Sequence, residues 1–199
     1  RVYNLGYPTM SLVKDLMLFS RKAEPRREPF ELGEMIEEVV DICRSTFDRK
    51  IAIEFRRPAG PVYMVGDPVQ LHQTLLNLCI NARDAFQTKR EAEDCRIQLE
   101  LEDHAPLPKS SLDAVTGKEE HYARVTVRDN GAGMDPETQK RIFEPFYTTK
   151  EVGKGTGLGL SIAYGIVRQH RGWIDCESQP GAGTAIHCYL RMETPAAVP

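Results

Sequence analysis

Polar side chains that could hold a metal ion and a phosphate recur along one face of a predicted helix. The helix begins at Asp67-Pro68, where Asp67 can cap the first turn and Gln70 can complete a capping box. At about 100° per residue, one narrow stripe carries Thr74, Asn77, Asn81 and Asp84. Apolar neighbours flank the stripe, so we expect the amides to lie inside the protein, where they need partners. Two interpretations remain open: a structural hydrogen-bond network, or amide oxygens that coordinate Mg²⁺ beside a phosphate.

A second group joins a carboxylate to glycines. The segment from Val125 to Asp135 reads V-T-V-R-D-N-G-A-G-M-D, so a strand runs directly into a loop with Gly131 and Gly133. Glycine permits close backbone approach to a ligand, and a buried Asp129 would accept a hydrogen bond from a donor such as the exocyclic amine of a base. A tight turn with a capping aspartate is the alternative. A calcium loop is disfavoured, because the EF-hand needs Glu where this sequence has Lys140.

A second glycine segment opens another predicted helix. Residues 153–161 read G-K-G-T-G-L-G-L-S, and the exposed amides and dipole of a helix start favour an anion such as phosphate. The spacing matches neither the dinucleotide fingerprint nor the P-loop, and a flexible linker is the alternative. Upstream, residues 143–150 read F-E-P-F-Y-T-T-K. These aromatic anchors and the lysine predict that residues 149–154 form a mobile lid over a nucleotide.

Hydrophobic periodicity and turn residues indicate the elements that position these motifs. Helices are predicted from Leu32 to Phe47, from Asp67 to about Phe86, from Pro136 to Ile142, and from the second glycine segment to about His170. Strands are predicted at 51–55, 62–65, 97–101 and 125–127, with a terminal hairpin of 173–176 and 185–190 around 180–183. Residues 102–121 are predicted to be a long loop or insertion. An apolar seam of Leu12, Leu16 and Phe19 predicts a first helix to Arg21, followed by a domain boundary near 25–30.

Composition excludes several classes of function. The formal charge of −3 provides no basic field to attract nucleic acid or acidic lipid. Five scattered cysteines without C-x-x-C spacing argue against a disulfide framework or a zinc site, and predict reduced thiols in a cytoplasmic chain. The sequence contains no apolar run long enough to span a bilayer, so any membrane anchor is expected outside it.

The order and spacing of four motifs resemble one family. N-L-C-I-N-A-R-D-A, D-N-G-A-G-M, F-E-P-F-Y-T-T-K and G-K-G-T-G-L-G-L-S resemble the N box, first glycine box, F box and second glycine box of sensor histidine kinases, most closely the nitrogen-regulation branch. The resemblance implies an α+β fold, a two-layer sandwich of the Bergerat ATP-binding type in which a mixed sheet packs on three helices. It implies a catalytic domain at 30–191, the end of a dimerisation-hairpin helix at 1–25, and a linker or tail at 192–199.

The resemblance also implies roles for individual residues. Asn81 would hold Mg²⁺, Asn77 would contact phosphate or metal, and Asp129 would bind the adenine amino group. Asn77, Asn81 and Lys150 would be catalytic. Nucleotide contacts would come from Asn77, Asn81, Asp84, Asp129, Gly131, Gly133, Phe146, Lys154, Gly155, Thr156, Gly157, Leu158, Gly159 and Thr184, the last supporting a water network at Asp129.

Two departures from the family pattern qualify these roles. None of the five histidines has the setting of the family's phosphoacceptor, so the acceptor is expected outside this chain. Asp84 stands where other branches often carry a lysine near the phosphates, so Mg²⁺, lid amides and Arg83, Lys150 or Lys154 would have to meet the phosphate charge.

The expected function is therefore the ATP-binding catalytic domain of a sensor histidine kinase. It would transfer the γ-phosphoryl group of ATP to a histidine on the dimerisation hairpin, for relay to the receiver domain of a response regulator. The parent would be a homodimer and the fragment a monomer. The alternatives are an ATPase of the same superfamily, which would need a glutamate at the position of Asn77, and a nucleotide-responsive interaction module.

Overall fold

A computed structural model describes residues 26–86, 94–106, 121–150 and 155–192. Its helices are α1 (Leu32–Thr46), α2 (Pro68–Asp84), α3 (Pro136–Arg141) and α4 (Gly159–Gln169). Its strands are β1 (Glu28–Glu31), β2 (Ile51–Arg56), β3 (Tyr63–Gly66), β4 (Cys95–Glu102), β5 (Tyr122–Asp129), β6 (Trp173–Gln179) and β7 (Gly183–Arg191). The expected helix at 1–25, most of the 102–121 loop and most of the 192–199 tail lie outside the described residues.

Five strands form a mixed sheet in the order β2-β4-β5-β7-β6. β2 runs parallel to β4, and the other neighbouring pairs are antiparallel. Period-2 alternation buries one face of β4, as Ile97, Leu99 and Leu101 show. Their side chains join one apolar core with those of α1, α2 and α4. The expected fold, a mixed sheet packed on three helices, is confirmed.

A small second sheet was not predicted. β1 pairs with β3 in antiparallel register, where the sequence indicated a domain boundary near 25–30. Its strand is four residues long and contains Pro29, so it carries little local signal. Buried Glu31 connects this small sheet to α1. Its carboxylate caps α1 by accepting from the Gly33 backbone N–H, and it also accepts from the Val62 backbone N–H, just before β3, at 2.8 Å.

The start of α2 departs in one detail from the predicted capping box. Asp67 caps the helix by accepting from the Gln70 backbone N–H at 3.1 Å, as expected. The backbone N–H of Asp67, however, donates to Nε2 of His170 at 2.9 Å, not to the Gln70 side chain. Buried His170 is the C-cap residue of α4 and holds its ring in place through a 2.8 Å bond between Nδ1 and the Ile166 carbonyl. A residue distant in sequence therefore replaces the predicted local partner.

The remaining elements agree with the predictions to within three residues at each end. α3 starts at Pro136 behind the cap Asp135, which accepts two backbone N–H groups, and those bonds hold the pKa of Asp135 below its usual value. α4 ends before His170, and β6 with β7 forms the terminal hairpin.

The cysteines are free thiols, as predicted. Cys43 of α1 and Cys79 of α2 are fully buried and hydrogen-bonded to each other, which lowers the pKa of Cys43 and raises that of Cys79. Burial raises the pKa of Cys188 to about 12. The described residues contain neither a cluster of potential metal ligands nor a helix long and apolar enough to cross a membrane.

The His170 contact predicts a pH dependence of stability. Burial lowers the pKa of His170 below its ordinary value of about 6.5, and burial does the same to His187. Below about pH 6.5 the unfolded chain therefore takes up protons before the folded one does. We expect the free energy of unfolding to be fully present above that pH and to decline as pH falls toward the folded-state pKa.

Urea unfolding at pH 7.5, 6.5 and 5.5 measures this decline. His170→Gln should be less stable at pH 7.5 but show a shallower decline, whereas the exposed control His121→Gln should keep the wild-type slope. An unchanged slope in His170→Gln would contradict the assignment.

Candidate functional site

The predicted polar stripe of α2 is only partly satisfied by the protein itself. Buried Thr74 donates to the Gln70 carbonyl at 2.9 Å. Asn77 accepts at Oδ1 from Nε2 of Gln73 at 3.0 Å, but its buried Nδ2 has no hydrogen-bond partner. A buried donor without a partner is rare in native structures and marks a place where a ligand can bind. Of the two interpretations left open by the sequence, this orphan favours the ligand site.

Asp129 lies buried at the end of β5, as predicted. Its Oδ1 accepts from the Gly131 backbone N–H at 2.7 Å, which folds the loop back over the carboxylate. A side chain on Gly131 would lie 2.6 Å from Cβ of Ala85, so glycine is required for the loop to reach α2. The Ala132 N–H then donates to the Ala85 carbonyl at 3.1 Å. The first glycine segment is thereby attached to the end of α2.

Gly133 joins the same loop to the terminal hairpin. Its φ is +66°, and a side chain there would collide with the carbonyl of Gln179. Ser178 stabilises this junction, because its Oγ accepts from the Met134 N–H at 2.8 Å and donates to the Gly183 carbonyl at 2.9 Å. Thr184 lies across the sheet from Asp129 and contacts Ser178 Oγ at 2.9 Å through its own hydroxyl.

The second glycine segment approaches α2 from the other side. α4 begins after Leu158 without a side-chain cap, so its first amides are available to an anion. A methyl group on Gly159 would lie 3.7 Å from Nδ2 of Asn81. Gly157, with φ +66°, has room for no side chain beside the backbone of Phe146, whose N–H donates to the Gly157 carbonyl at 2.9 Å. Phe146 itself is 68% exposed.

Charged residues meet at the end of α2. Asp84 accepts from Lys150 at 2.7 Å through Oδ2 and from Arg83 at 2.7 Å through Oδ1. The side chain of Asp84 is 11% exposed and that of Lys150 31%. The negative charge of Asp84, which stands where other branches often carry a lysine, is thus balanced by Arg83 and Lys150, two of the cations suggested for the phosphates. Lys150 also lies against Gly155, whose added side chain would be 3.0 Å from its Cδ.

The structure does not bring every predicted residue into one cavity. A cavity of about 400 Å³ at the end of the sheet is lined by Asp129 and Thr184, together with Arg96 and Arg128. The predicted α2 and α4 residues do not line it. Thr156 accepts from the Leu158 N–H at 3.3 Å, and Lys154 lies outside the described residues.

Sequence reasoning missed two supporting residues. Gln73 precedes Asn77 by one helical turn on the same stripe, so the i,i+4 spacing could have identified it. Ser178 had no comparable signal, because its partners come from the loop after β5 and from β7.

Comparisons with known proteins agree with this arrangement. The family described as "Histidine kinase-, DNA gyrase B-, and HSP90-like ATPase" matches residues 66–194, which include α2 and both glycine segments. The chain belongs to this family.

Curated relatives and solved structures point to sensor kinases within it. The chain is 36% identical to the sensor kinase CckA of Brucella abortus over 182 residues, 90% of this chain and 18% of the relative. It is 36% identical to the two-component sensor PprA of Pseudomonas aeruginosa over 93% of this chain and 19% of the relative. The nucleotide-free catalytic domain of histidine kinase ThkA superposes with a TM-score of 0.63 at 26% identity, covering 83% of this chain and 95% of that domain.

These matches confirm the expected superfamily and the expected ATP-binding catalytic domain of a sensor kinase. They do not test the nitrogen-regulation branch or the individual site residues. The chain spans about a fifth of the length of the two curated relatives.

The surroundings of Gly133 and Gly165 predict that replacing each by alanine changes the free energy of unfolding in opposite directions. Gly133→Ala should lower the free energy of unfolding by more than about 1 kcal/mol, because the side chain meets the Gln179 carbonyl at a positive φ. Gly165→Ala, inside α4 with open space around it, should raise it by about 0.5–1 kcal/mol. Urea unfolding measures both, and wild-type stability in Gly133→Ala would contradict the contact.

Proposed function

We propose that this chain transfers the γ-phosphoryl group of ATP to a histidine imidazole on a dimerisation hairpin, for relay to the receiver domain of a response regulator. One observation carries the proposal: both glycine segments converge on the last turns of α2. Gly131 abuts Ala85, and Gly159 lies beside Asn81. The two loops and the amide-bearing helix therefore border one site.

The base would be recognised at Asp129. A carboxylate accepts hydrogen bonds and donates none, so it matches the exocyclic amine of adenine and disfavours the carbonyl oxygen that guanine presents there. Its burial and its bond to Gly131 hold the acceptor in a fixed position. Gly131 and Gly133 let the loop pack closely against Ala85 and Gln179, which would fix the wall of the base pocket.

The phosphates would bind between α2 and the start of α4. The uncapped first turn of α4 and the unpartnered Nδ2 of Asn77 both supply donors, so the residues present fit an anion. Phe146, Gly155, Thr156, Gly157 and Leu158 would shape this side of the site together with Lys154. Lys150 would exchange its Asp84 partner for a phosphate oxygen.

Mg²⁺ would take the amide oxygen of Asn81, a residue whose Nδ2 lies beside Gly159 at the start of α4. When bound, the ion would neutralise charge on the phosphates. The chain's own contribution is positioning and electrostatic stabilisation, which supply most of the rate in phosphoryl transfer.

Transfer to histidine is favoured over hydrolysis by the residue type at position 77. An amide cannot take a proton from water, whereas a neutral imidazole nitrogen is already a nucleophile and needs little base catalysis. An ATPase of this family would require another group to orient water.

The parent protein is proposed to be a homodimeric, cytoplasmic-facing kinase of the nitrogen-regulation branch. Support comes from the N-A-R-D-A motif and the short stretch between Thr148 and Gly155. Residues 1–25 would end the dimerisation hairpin, 30–191 would form the catalytic domain, and 192–199 would be a linker. Nucleic acid and membrane contacts are not part of the proposal.

Replacing Asp129 tests base recognition. Asp129→Asn keeps the shape but turns one acceptor into a donor, so ATP affinity should fall about 10- to 100-fold, the value of a hydrogen bond to a charged group. The preference for ATP over GTP should fall as well. Calorimetric titration with both nucleotides measures this. Asp135→Asn, at the exposed cap of α3, is the control and should bind as wild type; equal ATP affinity in Asp129→Asn would contradict the role.

Replacing Lys150 tests the phosphate cation. Lys150→Met should weaken ATP binding about 10-fold or more, because it removes a cation and leaves Asp84 with Arg83 alone near the phosphates. The double variant Asp84→Asn/Lys150→Met should recover part of the loss. Lys140→Met, on the exposed face of α3, is the matched control. Wild-type affinity in Lys150→Met would remove Lys150 from the site.

A further inference from the structure

We propose that Gln73 is a positioning residue, which fixes the amide of Asn77 so that it offers a donor, not an acceptor, to the nucleotide phosphates. This inference rests on the proposed function. It assigns a role to a side chain that the four motifs leave out, and it decides between the two contacts, phosphate or metal, expected for Asn77.

The geometry follows from helix spacing. Gln73 and Asn77 are four residues apart on α2, so their side chains lie one above the other. Nε2 of Gln73 donates to Oδ1 of Asn77 at 3.0 Å, and both residues are half-buried. The amide of Asn77 therefore turns its oxygen toward Gln73 and its nitrogen away from it.

This orientation leaves the amide nitrogen of Asn77 facing away from Gln73, its hydrogen-bonded neighbour. Nδ2 of Asn77 is buried and has no hydrogen-bond partner. The carbonyl oxygen has two lone pairs, but its hydrogen bond turns it toward Gln73, so the groups of Asn77 left without a partner are its N–H donors. Phosphate oxygens accept such bonds, and a metal ion does not.

The same contact separates the two asparagines of the stripe. With Oδ1 of Asn77 turned toward Gln73, the oxygen left for Mg²⁺ would be that of Asn81, one turn further on, whose Nδ2 lies beside Gly159 at the start of α4. Gln73 thereby directs Asn77 to phosphate and leaves the metal to Asn81.

Substituting Gln73 by Glu keeps the size of the side chain at position 73 but should reverse the orientation of the Asn77 amide. A carboxylate at 73 cannot donate to Oδ1 of Asn77 but accepts from Nδ2, so the oxygen of Asn77 would turn toward the phosphates. We expect Gln73→Glu to weaken ATP binding at least 10-fold and to leave adenosine binding unchanged. Gln73→Met, which releases the amide to rotate, should weaken ATP binding only about 3-fold.

A double-mutant cycle separates this effect from the added charge. In an Asn77→Ala background, Gln73→Glu should cost less than 2-fold, because no amide remains to be reversed. Gln70→Glu places the same charge one turn earlier on α2 and should also cost less than 2-fold. Calorimetric titration of the whole chain with ATP and with adenosine, with and without Mg²⁺, measures every variant, and thermal unfolding should be shifted by no more than a few degrees.

Several outcomes would overturn the inference. Gln73→Glu could bind ATP as wild type, could lose ATP and adenosine affinity by the same factor, or could cost as much in the Asn77→Ala background as in the wild type. Each would leave Gln73 with a packing or charge role. Failure of the proposed function would differ from all of these, because the wild-type chain would then either not bind ATP or bind it without passing the γ-phosphoryl group to histidine.

Discussion

The site depends on how closely two glycine segments approach one helix. The loop after β5 reaches the end of α2 because Gly131 has no side chain to meet Ala85, and the Ala132 N–H bonds to the Ala85 carbonyl. The segment before α4 comes close to Asn81 at Gly159. α2 itself is held by its buried leucines and by the Asp67 cap, which His170 ties to α4. Backbone packing therefore sets the positions of the α2 amides, of Asp129 and of the start of α4 before any ligand arrives.

The polar groups without a partner in the protein indicate which kind of ligand the site would bind. The start of α4 has no side-chain cap, and the buried Nδ2 of Asn77 has no partner, so both can donate hydrogen bonds to a ligand. Unmet buried donors cost about 1–3 kcal/mol each, which an anionic ligand can return by accepting their bonds. Asp84 adds negative charge at the same end of α2, but Arg83 and Lys150 balance it. A triphosphate suits this arrangement better than a cationic or apolar ligand.

Features with a local cause were predictable from sequence, and features that join distant segments were not. Neighbouring residues in the sequence account for the helical periodicity of α1, α2 and α4, for the cap at Asp67 and for the burial of Asp129. β1 was missed because its partner β3 lies beyond α1 and β2. The capping box at Gln70 was wrong because His170 takes the Asp67 N–H. The pairing of Lys150 with Asp84 likewise joins residues that are 66 positions apart in the sequence.

The central claim is that γ-phosphate passes to histidine and not to water. The most direct measurement uses the chain extended upstream through a complete dimerisation hairpin, incubated with Mg²⁺ and ATP labelled at the γ-phosphate, with label followed on protein and as free phosphate. Acid-labile, alkali-stable label on the protein, with little free phosphate, is the predicted result. Rapid release of free phosphate with no label on the protein would contradict the account and require another group beside Asn77 to activate water.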